Sequence, residues 1–170
     1  MKKHNGMRPQ DVVILLKIAS TKTEPWLGKD IATDLYISNS EVSESLNRSK
    51  MAGLLDSSKK KLMRQAFLEF VEHGLKYVFP AVPGRIVRGM PTAHSASPLD
   101  NLIQSSEDFV WLDAHGISRG QSIEPLHPGV VQAAKKDNLL YELLALTDAL
   151  RVGKSRETKF AFDEIKKRIG

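Results

Sequence analysis

A short polar turn between two amphipathic segments, within residues 27–55, restricts the possible folds of this chain more than any other part of the sequence. Residues 38–41 read Ser-Asn-Ser-Glu, the spacing of a capping box, in which a serine hydroxyl and a glutamate carboxylate each bind a free backbone N–H at a helix start. Apolar residues recur at helical spacing on both sides of this turn, at Ile31, Ala32 and Leu35 before it and at Val42 and Leu46 after it. Gly53 is suited to end the second helix. The pattern therefore predicts two helices joined by a tight turn.

The remainder of the first half predicts further helices and one β-hairpin. A helix is expected over residues 9–19, because Pro9 suits the first turn of a helix and apolar residues follow it. Another helix is expected over residues 60–73, where apolar residues again recur at helical spacing. Strand-forming residues flank a turn rich in Pro and Gly, which predicts a hairpin over residues 75–88.

The second half divides into an extended segment and a helical tail. Residues 89–107 are rich in Pro, Ser and Ala, and residues 109–123 contain two short apolar runs about a turn, which predicts another small hairpin. From Pro128 onwards apolar residues recur at helical spacing. We therefore expect a mainly α fold with small β-hairpins, divided into a first domain over residues 1–89, an extended linker with a small hairpin over residues 90–127, and a helical C-terminal region over residues 128–170.

The positive charge of the chain is concentrated in its first half. Residues 1–89 contain 15 Lys and Arg against 9 Asp and Glu, whereas residues 90–170 contain 10 against 11. A basic module followed by a neutral one is typical of proteins that bind nucleic acid. An uneven spread of surface charge without function is the alternative.

The second helix of residues 27–55 is expected to expose side chains that are polar and form hydrogen bonds. These are Ser38, Asn39, Ser40, Ser43, Glu44, Asn47 and Arg48. Such groups suit the readout of base edges in the major groove of double-stranded DNA. Asn47 suits adenine, Arg48 suits guanine or a phosphate, and Glu44 either accepts from a cytosine amino group or points aside. An ordinary corner of two helices with a polar outer face is the alternative interpretation.

Residues 31–55 resemble the winged helix-turn-helix family, especially its MarR-like members. The similarity is carried by the inner-face apolar residues, by Arg48 and by the exit Ala52-Gly53-Leu54-Leu55. It implies a transcriptional regulator whose second helix enters the DNA and whose following β-hairpin, the wing, contacts the backbone. The chain departs from the family pattern after Leu55, because a helix is expected before any hairpin. The wing is therefore expected at residues 75–88.

Cations outside the second helix are candidates for contact with phosphates. They lie at the start of the next expected helix and on the expected hairpin, and are Lys59, Lys60, Lys61, Arg64, Lys76, Arg85 and Arg88. The alternative for the lysine run is a solvated helix start.

The tail contains more leucine than an isolated surface helix tolerates. Its candidate contact residues for a homodimer or a partner protein are Leu139, Leu140, Leu143, Leu144, Leu146 and Leu150. Operator binding favours dimers, and the alternative is that this helix closes the core of the monomer. Residues 78–99 and 139–157 are similar to segments of bacterial regulators that accompany nucleotidyltransferase-like partners in toxin–antitoxin or defence operons. This resemblance implies a repressor of its own operon, an antitoxin that also binds a toxin protein.

The sequence gives no support for catalysis, a metal site, a cofactor or a membrane span. The chain has no cysteine, its five histidines lack the spacing of a metal site on one helix, and it has no Gly-rich phosphate loop or nucleophile elbow. No apolar run reaches the roughly 20 residues that cross a bilayer. We expect a cytoplasmic, dimeric, DNA-binding regulator that is not an enzyme. The alternative is a protein-interaction module whose helical tail binds and inhibits a partner enzyme without specific DNA binding.

Overall fold

A computed structural model describes residues 5–170, so the first four residues of the expected 1–89 domain lie outside the described part. Within residues 5–170 the chain is mainly helical, with eight α-helices and one small mixed sheet of three strands, which confirms the mainly α class. The helices are α1 (Pro9–Ser20), α2 (Gly28–Leu35), α3 (Asn39–Met51), α4 (Arg64–His73), α5 (Leu75–Val78), α6 (Val130–Lys136), α7 (Asn138–Val152) and α8 (Ser155–Ile169). The strands are β1 (Ile86–Pro91), β2 (Phe109–Leu112) and β3 (Ser118–Ser122).

Helix α1 is the central helix of the first half. Pro9 occupies its first turn, as expected, and the run Val12 to Leu16 has no exposed surface at all. Helices α2, α3, α7 and α8 all pack against α1, so every side of it meets another helix. This explains why its apolar residues are not confined to one face.

The expected hairpin over residues 75–88 is wrong. Residues 75–78 form the short helix α5, with Leu75 fully buried against α7, and only the end of the segment is a strand. That strand, β1, pairs antiparallel with β2 and β3 from the second half of the chain. Residues of high β propensity became helical here because tertiary packing outweighs intrinsic preference over so short a segment.

The small hairpin expected within residues 109–123 is also wrong in its pairing. Both strands exist, but β2 and β3 lie parallel to each other and antiparallel to β1, which closes the three strands into a small barrel. Gly89 stands where β1 passes from one neighbour to the other. A Cβ atom there would lie 2.0 Å from the Trp111 carbonyl oxygen, so only glycine permits this approach.

Residues 92–107 are folded rather than an extended linker. Two turns of 3-10 helix, at residues 93–95 and 99–101, place Leu99 in the core. His94 is 5% exposed, and its Nε2 lies 2.7 Å from the Glu107 carbonyl oxygen. The abundance of Ser, Pro and Ala here reflects tight turns packed on α7 rather than a flexible connection.

Helix α7 crosses the middle of the molecule and joins its two halves. It contacts α1, α4, α5, α6 and α8 as well as the segment after β1. Asp148 on α7 is buried, and its carboxylate accepts hydrogen bonds from Thr92 Oγ1 at 2.8 Å, Trp111 Nε1 at 2.6 Å and Arg151 Nη1 at 2.9 Å. One continuous core thus runs across the boundaries expected near residues 89 and 127.

The leucines of α7 face the interior of the monomer, which corrects their expected place at a dimer or partner interface. Exposed fractions are at most 5% for Leu140, Leu143, Leu144, Leu146 and Leu150. Leu139 is partly buried against the same core. The surfaces that cover them belong to this chain, so no second molecule is needed to explain the leucine content.

Candidate nucleic-acid interface

Helix α3 presents a polar face to solvent over its first turns. Ser38 caps the helix, its hydroxyl accepting from the Glu41 backbone N–H at 3.2 Å. Six of the seven side chains expected on this face are exposed: Ser38, Asn39, Ser40, Ser43, Glu44 and Asn47. They supply hydroxyl, amide and carboxylate groups, which both donate to and accept from the edges of bases.

The opposite face of α3 holds the helix tightly against α1. Val42 is 2% exposed, and the small residues Ser45 and Ser49 are completely buried one turn apart. At the start of α3, Glu41 accepts a hydrogen bond from Gln10 Nε2 at 2.7 Å and lies 3.7 Å from Arg8 Nη1. These contacts draw the Glu41 carboxylate towards α1, and the exposed polar face is therefore carried by a firmly placed helix.

Arg48 does not belong to the exposed face, which corrects the expectation that it contacts a base or a phosphate. Its guanidinium is 7% exposed and donates from Nε and Nη2 to the two carboxylate oxygens of Asp11, each at 2.8 Å. The hydrogen bonds that Arg48 donates to Asp11 raise the pKa of Arg48. Asp11 itself is fully buried in α1. A planar guanidinium and a carboxylate pair well in this two-bond geometry, so Arg48 joins α3 to α1.

A short hairpin-like loop follows α3 directly, where the sequence was expected to enter a helix. Leu55 and Leu62 form a single antiparallel bridge, and the loop 56–61 between them is held by Asp56. One Asp56 oxygen accepts from the backbone N–H groups of Lys60 and Lys61 at 3.0 and 2.9 Å, and the other accepts from the Ser58 hydroxyl at 2.7 Å. The Lys61 backbone N–H and the Ser58 hydroxyl together hold the pKa of Asp56 at about 2. The loop therefore has a defined shape.

Of the three lysines of this loop, Lys59 contacts α3 and Lys60 contacts Trp26, which precedes α2. Lys59 Nζ donates to Asn47 Oδ1 at 3.0 Å, which places a cation directly on the polar face of the helix. The Lys60 ammonium lies 4.7 Å from the ring centre of Trp26, and the Trp26 indole N–H donates to the Lys60 carbonyl at 3.1 Å. Lys61 is exposed. These lysines, which were expected at the start of a helix, therefore lie on a loop, and Lys59 brings a cation to α3.

The other expected phosphate-binding cations lie elsewhere. Arg64 donates from Nη1 to the carbonyl of Ile169 at 2.8 Å and so closes the C-terminal end of α8. Lys76 is on α5, where its ammonium lies 5.0 Å from the Tyr77 ring centre. Arg85 and Arg88 are exposed, but they belong to the sheet, which is built on β2 and β3 and not on α3. The structure therefore does not place these four residues on a wing next to α3.

Two features of this region were not predicted from the sequence. The loop 56–61 was not predicted, although Asp56 followed by two serines is typical of a turn. The turn between α2 and α3 is covered by α6, where the Lys136 ammonium lies 4.9 Å from the ring centre of Tyr36. No local signal predicts that second contact, because the two residues belong to opposite halves of the chain.

Residues 5–170 contain no group of three or more His, Asp or Glu side chains placed to hold a metal ion. None of the helices in that range is both long and apolar enough to cross a membrane.

No protein-family model, curated protein sequence or solved structure matches this chain. The polar face of α3 and the loop 56–61 beside it therefore have to be interpreted from their own geometry.

Proposed function

We propose that this protein is a sequence-specific regulator that binds double-stranded DNA by placing α3 in the major groove. The observation that carries the proposal is the combination of a rigidly backed helix with a continuous exposed row of serine and asparagine side chains. Helix α3 has 13 residues and so spans about 20 Å, and a major groove about 12 Å wide accepts a helix of this diameter. In such docking the N-terminal residues of the second helix contact base edges.

The arrangement of α2, α3 and the loop 56–61 supports a winged helix-turn-helix of minimal form. Helix α2 packs on α3, and the turn between them is only residues 36–38. The loop that follows takes the place of the wing, since it is closed by the Leu55–Leu62 bridge and carries three lysines. Its cations suit the phosphates that border the groove, whereas the side chains of α3 suit its floor.

A regulatory role in its own operon is part of this proposal. The segments that resemble regulators of toxin–antitoxin and defence operons favour a repressor that binds its own upstream DNA as a homodimer, and that also binds a toxin protein. A dimer has to use a surface other than the α7 leucines, because those are occupied within the monomer. The rival proposal, a tail that captures a partner enzyme, loses its expected contact surface for the same reason.

The proposal is tested by fluorescence anisotropy with two labelled duplexes. One is the DNA immediately upstream of the protein's own coding sequence, and the other is a mixed-sequence duplex of equal length. We expect the upstream duplex to be bound at least about 1,000-fold more tightly at physiological salt. Equal affinity for the two duplexes, or no binding to either, would refute a sequence-specific regulator of its own operon.

The placement of α3 is tested with the double variant Asn39→Ala, Ser43→Ala. Both side chains are exposed, and neither has a hydrogen-bond or ion-pair partner to lose among residues 5–170, so the fold should be retained. We expect the discrimination between duplexes to fall by roughly 1–3 kcal/mol for each lost base contact. Gln132→Ala, an exposed amide on α6, is the matched control and should leave discrimination unchanged. A double variant with full discrimination would remove α3 from the groove.

The role of the loop 56–61 is tested by changing Lys59, Lys60 and Lys61 to glutamate. Each phosphate contact makes the negative slope of log affinity against log salt steeper by about 0.9. We therefore expect the magnitude of this slope to fall by roughly 1–3 in the triple variant. Lys159→Glu, at an exposed position on α8, controls for the reversal of a charge outside the loop, and circular dichroism checks that both variants are folded. An unchanged slope in the triple variant would separate the loop from the DNA backbone.

A further inference from the structure

The turn that joins α2 to α3 carries an aromatic side chain in an uncommon position. Tyr36 has φ of 58°, in the left-handed region, and its side chain is 48% exposed instead of being buried with its apolar neighbours Leu35 and Ile37. It stands two residues before Ser38, so at most about 7 Å separates their α-carbons. The backbone of Tyr36 therefore lies close to the N-terminal end of α3, beside the proposed DNA-binding face.

A cation from the second half of the chain is held over this ring. The ammonium of Lys136, the last residue of α6, lies 4.9 Å from the Tyr36 ring centre, within the range of a cation–π contact. Its sequence neighbour Lys135 is engaged differently, with Nζ 2.7 Å from a carboxylate oxygen of Asp113. Lys136 has no such carboxylate partner among residues 5–170, so its charge remains available to an anion.

Helix α6 is fixed firmly enough to position Lys136. Val130, Ala133 and Ala134 are buried, and α6 packs against α2. The segment leading into α6 comes so close to α2 that a Cβ atom on Gly129 would lie 2.5 Å from the Leu35 carbonyl oxygen. The backbone that carries Lys136 is thus held against the α2–α3 turn by direct packing and not by a flexible connection.

From this juxtaposition we propose that Lys136, supported by Tyr36, binds a phosphate of the DNA backbone beside the N-terminal end of α3. The inference rests on the proposed function, and it adds a contact from the C-terminal region to the DNA-binding surface. Lys59 already places a cation on the polar face at Asn47, farther along α3. Helix α3 is therefore flanked by cations towards both ends, as a helix lying between two phosphate backbones requires. The partial positive charge of the α3 N-terminus favours the same anion.

The proposal predicts a phosphate contact and not a base contact. Lys136→Ala in the full-length protein should weaken binding about fivefold at low salt, equally for the upstream and the mixed-sequence duplexes, and should reduce the salt slope by about 0.9. Lys136→Arg should restore most of the affinity, because the charge is kept over the ring. Lys159→Ala is the matched control, and it should change neither the affinity nor the slope.

The possible results separate this inference from the proposed function. If the wild-type protein binds DNA and Lys136→Ala has the same affinity and slope, the Lys136 contact is wrong while the DNA-binding function stands. If Lys136→Ala weakens only the upstream duplex, the lysine reads sequence and the phosphate assignment is overturned. If the wild-type protein binds neither duplex, the proposed function fails, and the inference fails with it.

Discussion

At the scale of single residues, the contact between Arg48 and Asp11 shows how a side chain suited to DNA readout is used internally. Arginine commonly reads guanine in DNA, yet the hydrogen bonds from Nε and Nη2 of Arg48 go to the buried carboxylate of Asp11. The paired charges give α3 a fixed position on α1. The exposed groups of α3 include hydroxyls and amides, which carry no net charge but form directional hydrogen bonds.

We predict that Arg48→Ala destabilises the fold and does not act primarily on DNA binding. Removing one partner leaves the Asp11 carboxylate buried and unpaired, so the free energy of unfolding should fall by about 3–5 kcal/mol in urea denaturation. Lys50→Ala, at an exposed position on the same helix, should change it by no more than about 0.5 kcal/mol. An Arg48→Ala protein of wild-type stability that no longer binds the upstream duplex would show that Arg48 faces the DNA.

At the scale of elements, the turn between α2 and α3 is braced by the segment that precedes α6. The His127 ring hydrogen-bonds to the Tyr36 backbone, and Lys17 on α1 bridges Asp34 on α2 to Asp137 at the start of α7, at 3.3 and 2.9 Å. The position of α2, and through it of α3, is thus tied to the second half of the chain. Burial lowers the pKa of His127, although the bond to Tyr36 opposes that shift.

The lowered pKa of His127 predicts a loss of stability in mild acid. The folded protein binds a proton at His127 less readily than the unfolded chain, whose histidine titrates near 6.5. The contribution of His127 is therefore complete above about pH 6.5 and is lost as the pH falls below it, towards the folded pKa. Urea denaturation at about pH 7.5 and about pH 5.5 should show a smaller loss for His127→Gln than for the wild type. The same loss in both proteins would assign the effect to other groups.

At the scale of the whole molecule, α7 packs against regions that the sequence suggests are separate. Its leucines pack on α1 from the first half, and its Asp148 binds Thr92 and Trp111 from the middle segment. The proposed DNA-binding face in the first half is consequently supported by residues of the last third. We expect the unfolding of the two halves to be coupled.

This coupling is tested with Leu143→Ala and the two tryptophans. Leu143 is fully buried, so its truncation should lower the free energy of unfolding by about 2–5 kcal/mol, whereas Leu102→Ala, at a 47% exposed position, should cost no more than about 0.5 kcal/mol. Trp26 and Trp111 report separately on the two halves in the single-tryptophan variants Trp111→Phe and Trp26→Phe. In both backgrounds, Leu143→Ala should shift the thermal midpoint by the same amount. A shift at Trp111 without one at Trp26 would support independent domains.

Features that depend on neighbours along the chain follow from the sequence alone. Helical periodicity and the Ser38 cap predict α2 and α3 and expose Asn39, Ser43 and Asn47 on one face, because these signals act within a few residues. The leucine pattern likewise predicts that α7 is buried. The helix boundary at Gly153 also follows from local chemistry.

Which of these elements and side chains contact each other depends on the tertiary structure. Whether Arg48 points to solvent or to Asp11, whether the α7 leucines cover this chain or another, and whether β1 pairs with a neighbour or with β2 and β3 all depend on contacts between residues far apart in sequence. Side chains become buried, and charges and strands become paired, only when surfaces distant in sequence come into contact. A local sequence pattern does not identify the partner of such a contact. The exposed groups of the proposed DNA-binding face on α3 therefore follow from local sequence. The contacts that support this face, such as those of Asp11 and Lys136, depend on the tertiary structure.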